Sequence, residues 1–219
     1  MRRNIAIIGA GGQGKETLFY VRQINQIDKK FDQILFFDDN KNLHGKFING
    51  IKVAGDIDHL LEYYGKNWYC VIALGNPKVK LEVKKKIEKI GLPFENIISP
   101  LAVIDFDTIE LGTDNIIAPG VKILPDVKIG NHVLINYNSV IGHDCKLEDY
   151  VTIAPSVGIA GNVEVKKGSK IGIGASIIQN LKIGSWSMIG AGAAVIRDVP
   201  EQTLVVGVPA KEKKRNGQQ

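Results

Sequence analysis

With 219 residues, 44% hydrophobic and 23% charged, the chain is long enough for one large or two small globular domains and ordinary in composition. Its net charge of +5, from 28 basic and 23 acidic residues, is carried partly by Lys84-Lys85-Lys86 and the terminal "KEKKRNGQQ". Without interleaved aromatics, that excess reads as a solvated helix face and a tail rather than a nucleic-acid surface, and it gives a modest field for a phosphorylated ligand. The two cysteines, Cys70 and Cys145, form no CxxC pair, which argues against a disulfide framework or zinc knuckle.

The first residues, "MRRNIAIIGAGG", have a basic start, but the apolar run is too short for a signal peptide and soon meets glycines. No stretch approaches the roughly 20 apolar residues of a membrane span. The expectation is a soluble, cytoplasmic protein.

"NIAIIGA" is a short apolar run ending in glycine, the pattern of a buried parallel strand. "GKETLFYVRQINQI" follows with helical spacing, and "QILFFDDN" is a second strand ending in two aspartates. "DIDHLLEYYG" predicts a short helix with Asp56 or Asp58 as its N-cap. "WYCVIALGN" is a third strand, and "PKVKLEVKKKIEKIG" a basic amphipathic helix opened by Pro77 and stopped by Gly91. The alternation predicts a small Rossmann-like α/β domain of about three strands over residues 1–97.

Gly9-Ala10-Gly11-Gly12-Gln13-Gly14 fits G-x-G-x-x-G between a strand and a helix. Glycines there let backbone N–H groups approach a phosphate at the helix N-terminus. Asp38 and Asp39 end the second strand, where a carboxylate accepts from a ribose or a base. Taken alone these residues suggest NAD, yet three strands are only half of a dinucleotide fold.

After Ile98 the pattern changes. Leu, Ile or Val occupies every sixth position from Leu111 to Val195, fifteen consecutive hits, with Ile98 and Ile104 one residue out of phase before them. Position i+4 is small or apolar throughout except at Asn115, and position i+3 is Gly, Asp or Asn in eleven of the fifteen units. These residues tolerate turn dihedrals. A six-residue repeat of short strand and corner predicts a parallel β-helix in which three units close one coil and positions i and i+4 point inward. Coils would stack about 4.8 Å apart.

His143 and Asp144 in "VIGHDCKL" take positions i+2 and i+3, at a corner and facing out. The eighteen-residue column through this corner runs Pro125, His143, Gly161, Gln179, Arg197. Gly161 is expected to leave open space beside the imidazole and to expose a backbone N–H. Cys145 falls at an inward position and is expected only to pack. His132 shares a column with Tyr150, Gly168 and Trp186, expected to stack as aromatic edges. Two histidines in the helix are too few for a three-histidine zinc site, so no metal is expected.

The pattern [LIV]-[GAED]-x-x-[STAV]-x resembles that of the hexapeptide-repeat acyltransferases. With the small α/β domain in front, and with "GAGGQGKE", "FFDDN", "ALGNP", "VIGHDC", "AGNV" and "VVGVPAK", the chain is similar to the NeuD/PglD-like sugar O- and N-acetyltransferases over nearly its whole length. The resemblance implies a left-handed β-helix, a homotrimer with active sites between subunits, and acetyl-CoA as co-substrate. It implies a sugar-nucleotide site at Gly11, Gly12, Gln13, Gly14, Asp38, Asp39, Gly75 and Asn76, with Asn136 and Thr152 lining the acceptor pocket. The family usually has histidine where this chain has Gln13 and Thr152.

The resemblance also implies that His143 is a general base oriented by Asp144. Coenzyme A would run along Gly161, Ile173, Gly174, Ala191 and Gly192 towards Lys211. The expected domains are 1–97 for the sugar-nucleotide and 98–211 for acetyl-CoA and catalysis, with 212–219 a basic tail. The expected activity is N-acetylation of a nucleotide-linked amino sugar for bacterial surface glycans. The alternatives are O-acetylation of a sialic-acid-type sugar and, more remotely, a non-catalytic nucleotide-binding scaffold.

Overall fold

The computed structural model describes residues 2–213 and divides into two compact units. The first runs to Pro100 and also takes Thr113–Ile116; the second comprises Leu101–Gly112 and the chain from Ile117 onward.

The first unit is a parallel sheet flanked by helices. Strand β1 (Arg3–Ile8) is central, between β2 (Phe31–Phe37) and β5 (Trp68–Ile72), and both neighbours pair with it in parallel. The helices α1 (Gly12–Asp28) and α2 (Pro77–Ile90) lie where the apolar periodicity places them. Asn76 caps α2 by accepting from the N–H groups of Lys78 and Val79, and Gly91 ends it at φ 82°. The predicted helix at 56–65 is a 3₁₀ helix over Ile57–Tyr63, with Asp56 as its N-cap.

The sheet has five strands, two more than the sequence predicts. The addition is the antiparallel hairpin β3 (Phe47–Ile48) and β4 (Ile51–Gly55), whose β4 also pairs with β2, giving the order β3-β4-β2-β1-β5. Its turn is Asn49-Gly50, both at positive φ (49° and 79°). Asn-Gly between apolar residues is the signal of a two-residue hairpin. Here that signal is faint, because β3 is only two residues long.

Two features pin Thr113–Ile116 into this unit. Asp114 Oδ1 accepts from the Ile72 N–H at 2.8 Å, satisfying the last amide of the edge strand β5. Lys80 of α2 is wholly buried, with Asp114 as its attracting charge. Removal from water outweighs that attraction and lowers the Lys80 ammonium to about 8.

The second unit is a left-handed parallel β-helix of two-residue strands. Each strand pairs in parallel with the one eighteen residues on, as Lys122–Ile123 with Val140–Ile141, Lys128–Ile129 with Lys146–Leu147, and Leu134–Ile135 with Thr152–Ile153. The every-sixth series from Ile117 to Val195 is buried throughout. The i+3 corners from Asp114 to Gly192 all have φ between 56° and 72°. That left-handed conformation explains their enrichment in Gly, Asn and Asp. His132, Tyr150 and Trp186 adopt it at φ 60°, 63° and 58°. Their rings offset the strain: His132 stacks on Tyr150 at 4.9 Å between centroids, and Trp186 lies against Gly168.

The stack ends in a reversal. Leu204–Val206 pairs in parallel with Met188–Ile189, but Lys211–Lys213 runs antiparallel to it. Of the basic tail, Glu212 and Lys213 belong to this strand; residues 214–219 lie outside the described residues.

Candidate active site

The corner after strand Val140–Ile141 holds the exposed His143 and Asp144. Its backbone is fixed from both sides: the Asp144 N–H donates to Pro125 O at 3.1 Å, and His143 O accepts from the Asn162 N–H at 2.8 Å. Imidazole Nδ1 lies 2.7 Å from Asp144 Oδ2, so the carboxylate holds the proton on Nδ1 and leaves Nε2 as the basic nitrogen. The space beside Gly161 is not open, contrary to expectation, because the His143 ring fills it: a Cβ on Gly161 would stand 2.5 Å from both Cε1 and Nε2.

Cys145 points inward, its Sγ donating to Ala160 O at 3.1 Å and accepting from the Val163 N–H. Burial pushes its thiol up, which removes it as a nucleophile.

Asn136 and Thr152 belong to adjacent coils, with Leu134 opposite Thr152 across the strand pair. Both side chains face outward on the same sheet, since Ile135 and Ile153 take the inward positions. They are nevertheless buried, at 9% and 4% exposure. Asn136 Oδ1 and Thr152 Oγ1 have no hydrogen-bond partner among the described residues. Gln13 Nε2 in the first unit is in the same condition. A buried, unmade hydrogen bond costs about 1–3 kcal/mol, and residues tolerate it where a ligand completes the bond.

Of the coenzyme-contact positions suggested by the resemblance, Ile173, Gly174, Ala191 and Gly192 lie along one corner, whereas Gly161 belongs to the corner of His143. Ile173 is 53% exposed and Ala191 is exposed, while a Cβ added to Gly174 or Gly192 would meet nothing within 4 Å. Lys211 is exposed on the final antiparallel strand.

In the first unit, α1 begins at Gly12 with no side-chain cap, so its first N–H groups remain available to an anion. Gly11 and Gly12 face open space. Gly14 differs from the expectation for it. It is buried, and a Cβ there would lie 1.9 Å from Gly9 O, so this glycine permits helix-on-strand packing and does not face a ligand.

Asp38 is already engaged, Oδ2 accepting from the Ala10 N–H at 2.8 Å and Oδ1 from the Asn40 N–H at 2.9 Å. It shapes the glycine loop. Asp39 is exposed and bonds Lys86 Nζ and the Ile57 N–H. Gly75 is open, whereas the Asn76 carbonyl is committed to capping α2.

A histidine pair beside this loop carries no sequence signal. His44 Nε2 lies 2.7 Å from Asp38 O, and the His59 ring meets it edge-on at 6.3 Å. The hydrogen bond His59 donates to Asp56 raises the His59 imidazole, and that same bond holds the Asp56 carboxyl down. No spacing pattern joins these residues, because the hairpin β3–β4 separates them along the chain and only its folding brings them together.

No helix is long and apolar enough to cross a membrane, and no metal-holding group of His, Cys, Asp and Glu occurs among the described residues.

A β-helix of hexapeptide repeats with an outward histidine at one corner defines a hexapeptide-repeat transferase. Comparison with known proteins agrees and narrows the class. Residues 4–87 match the PglD N-terminal domain, and residues 108–143 and 126–161 match the bacterial transferase hexapeptide model. The chain is 35% identical to GDP-perosamine N-acetyltransferase of Escherichia coli O157:H7 over 169 residues, 77% of this chain and 75% of that one.

Among solved structures, PerB of Caulobacter crescentus, bound to CoA and GDP-perosamine, superimposes with a TM-score of 0.88 at 29% identity, covering 96% of this chain and 97% of that one. The acetyltransferase domain of PglB from Neisseria gonorrhoeae, bound to acetyl coenzyme A, gives 0.89 at 27% identity over 97% and 100%. The chain belongs to the PglD-like family of hexapeptide-repeat acetyltransferases.

Proposed function

We propose that this protein transfers the acetyl group of acetyl-CoA to the amine of a nucleotide-linked amino sugar, with His143 as general base. The observation that carries this reading is the His143–Asp144 pair, an imidazole held in one tautomer on a fixed corner. Acetyl-CoA supplies the thioester. Nε2 takes the proton from the attacking nitrogen as the new C–N bond forms. The C–S bond breaks, and the same proton passes to the leaving sulfur. The Gly161 N–H, in the same column, donates to the developing oxyanion. The unpartnered Asn136 and Thr152 atoms supply an acceptor and a hydroxyl for the sugar.

Residues 1–97 are read as the sugar-nucleotide domain and 98–211 as the acetyl-CoA and catalytic domain. The uncapped start of α1, with Gly11 and Gly12 open beside it, supports a nucleotide phosphate in the first. GDP-perosamine, the substrate named for two relatives, is the first acceptor to test.

A homotrimer is part of the proposal. On the sheet leading into the His143 corner, Val103, Leu124, Val140, Ile178 and Ile196 are exposed. The neighbouring sheet carries Glu110, Lys128, Lys146, Glu164 and Lys182 instead. An apolar stripe of this kind suits burial against a second copy of the chain. A cytoplasmic location follows from the substrates proposed.

The deciding experiment follows free CoA thiol release with GDP-perosamine, with UDP-, dTDP- and CMP-linked amino sugars, and with a sialic acid. Turnover on an amino sugar-nucleotide supports the reading; turnover on the sialic acid alone replaces it with O-acetylation. No turnover and no CoA binding would favour a non-catalytic scaffold.

A further inference from the structure

We infer that Gly161 is a positioning residue: its missing side chain is the seat on which the His143 imidazole rests, and this seat sets the direction of Nε2. The inference rests on the reading of His143 as the base.

The three atoms nearest to a Cβ at position 161 all belong to one ring, His143 Cε1 and Nε2 at 2.5 Å and Cδ2 at 3.0 Å. Several other glycines of the solenoid are demanded by the backbone. At Gly142 a Cβ would strike Ala160 C at 2.5 Å and Gly161 N at 2.6 Å. Gly174 and Gly192 are corners at φ 65° and 63°. Gly161 is not among the positive-φ glycines, and no backbone atom comes closer than 3.0 Å to a Cβ built there. The coil would accept alanine there; the imidazole would not.

The ring is tethered through its backbone and at Nδ1. Pro125 O and the Asn162 N–H hold the backbone of residues 143 and 144, and Asp144 Oδ2 holds Nδ1 at 2.7 Å. Reaching an ordinary carbon contact of about 3.5 Å requires the ring to retreat by about 1 Å. That retreat either stretches the bond to Asp144 or turns Nε2 away from the acceptor. A misplacement of about 1 Å costs a reaction on the order of 10²-fold. Gly161→Ala keeps the backbone N–H, so a donor role for residue 161 is preserved and the seat alone is removed.

The test compares Gly161→Ala, His143→Ala and the double variant in the full chain. Gly161→Ala is expected to lower kcat by about 10²-fold, with melting temperature close to wild type. Its crystal structure should show the imidazole displaced from residue 161. In the double variant the alanine at 161 should cost nothing beyond the loss caused by His143→Ala, because no ring remains to be moved. An inactive His143→Ala beside a fully active Gly161→Ala would overturn the seat and leave the base intact. Losses that multiply in the double variant would overturn the seat as well. Wild-type turnover by His143→Ala would instead remove the base.

Discussion

His143 Nδ1 and Asp144 Oδ2 stand 2.7 Å apart on adjacent residues of one solenoid corner. Because Asp144 occupies the left-handed i+3 position at φ 56°, its carboxylate turns back toward the preceding side chain. A backbone requirement of the coil thereby orients the imidazole.

Replacing His143 with Ala is expected to lower kcat by about 10²–10⁴-fold while CoA binding, measured by calorimetry, stays intact. Asp144→Asn keeps a residue that tolerates positive φ and removes only the charge. The pair is well exposed, at 63% and 58%, so the charge is worth at most about 1 kcal/mol, or about fivefold in rate. A loss of a thousandfold in Asp144→Asn would contradict this weighting.

Thr152→Val replaces a buried, unpartnered hydroxyl with a methyl of the same shape. The melting temperature should hold or rise, since the unmade hydrogen bond costs about 1–3 kcal/mol in the free protein. KM for the amino sugar should rise at the same time, by about tenfold. Stability lost without a change in KM would show that the hydroxyl serves the fold.

Gly14 and Gly12 should separate packing from binding. Gly14→Ala forces a Cβ to 1.9 Å from Gly9 O and is expected to destabilise by about 3 kcal/mol. Gly12→Ala meets nothing within 4 Å and should match or exceed the wild-type stability, while weakening sugar-nucleotide affinity at the helix start. Urea titration and ligand titration of both variants read the two effects.

The buried Lys80 gives a pH dependence of definite sign. Its folded pKa of about 8 lies below the ordinary 10.5. Below pH 8 both folded and unfolded chains hold the proton, and the group contributes no slope. Between about 8 and 10.5 only the unfolded chain holds it, so stability rises with pH, by an order of 3 kcal/mol across the window. Unfolding curves at pH 7 to 10 should show this rise in the wild type and a smaller one in Lys80→Met. Equal slopes in the two proteins would rule out Lys80 as the source.

The apolar stripe is tested through one residue. Ile178→Glu places a charge at an exposed position and is expected to yield monomers by light scattering. Unchanged trimers would move the interface to another face, and a monomeric wild type would remove the homotrimer altogether.

The solenoid is legible almost residue by residue, because each inward position recurs every six residues and each corner needs a backbone conformation that few residues take. The column Pro125–His143–Gly161 is legible for the same reason, but its meaning is not. Spacing reports that a glycine faces a histidine; only atomic positions reveal that the ring has taken the glycine's room. Lys80 is half legible, since its spacing from Val83 and Ile87 puts it on the buried face of α2, but nothing in the sequence brings Asp114 to it. Asp38 looks like a ligand contact from its place at a strand end, and its bonds to Ala10 and Asn40 emerge only once the loop is folded.

The antiparallel strand Lys211–Lys213 has a consequence for self-association. A stack of parallel strands would otherwise finish in a bare row of amides and carbonyls, an invitation for another molecule to continue the winding. On that face the last partner runs the wrong way and presents lysine, glutamate and lysine outward. Removing it should turn a discrete protein into one prone to joining end to end.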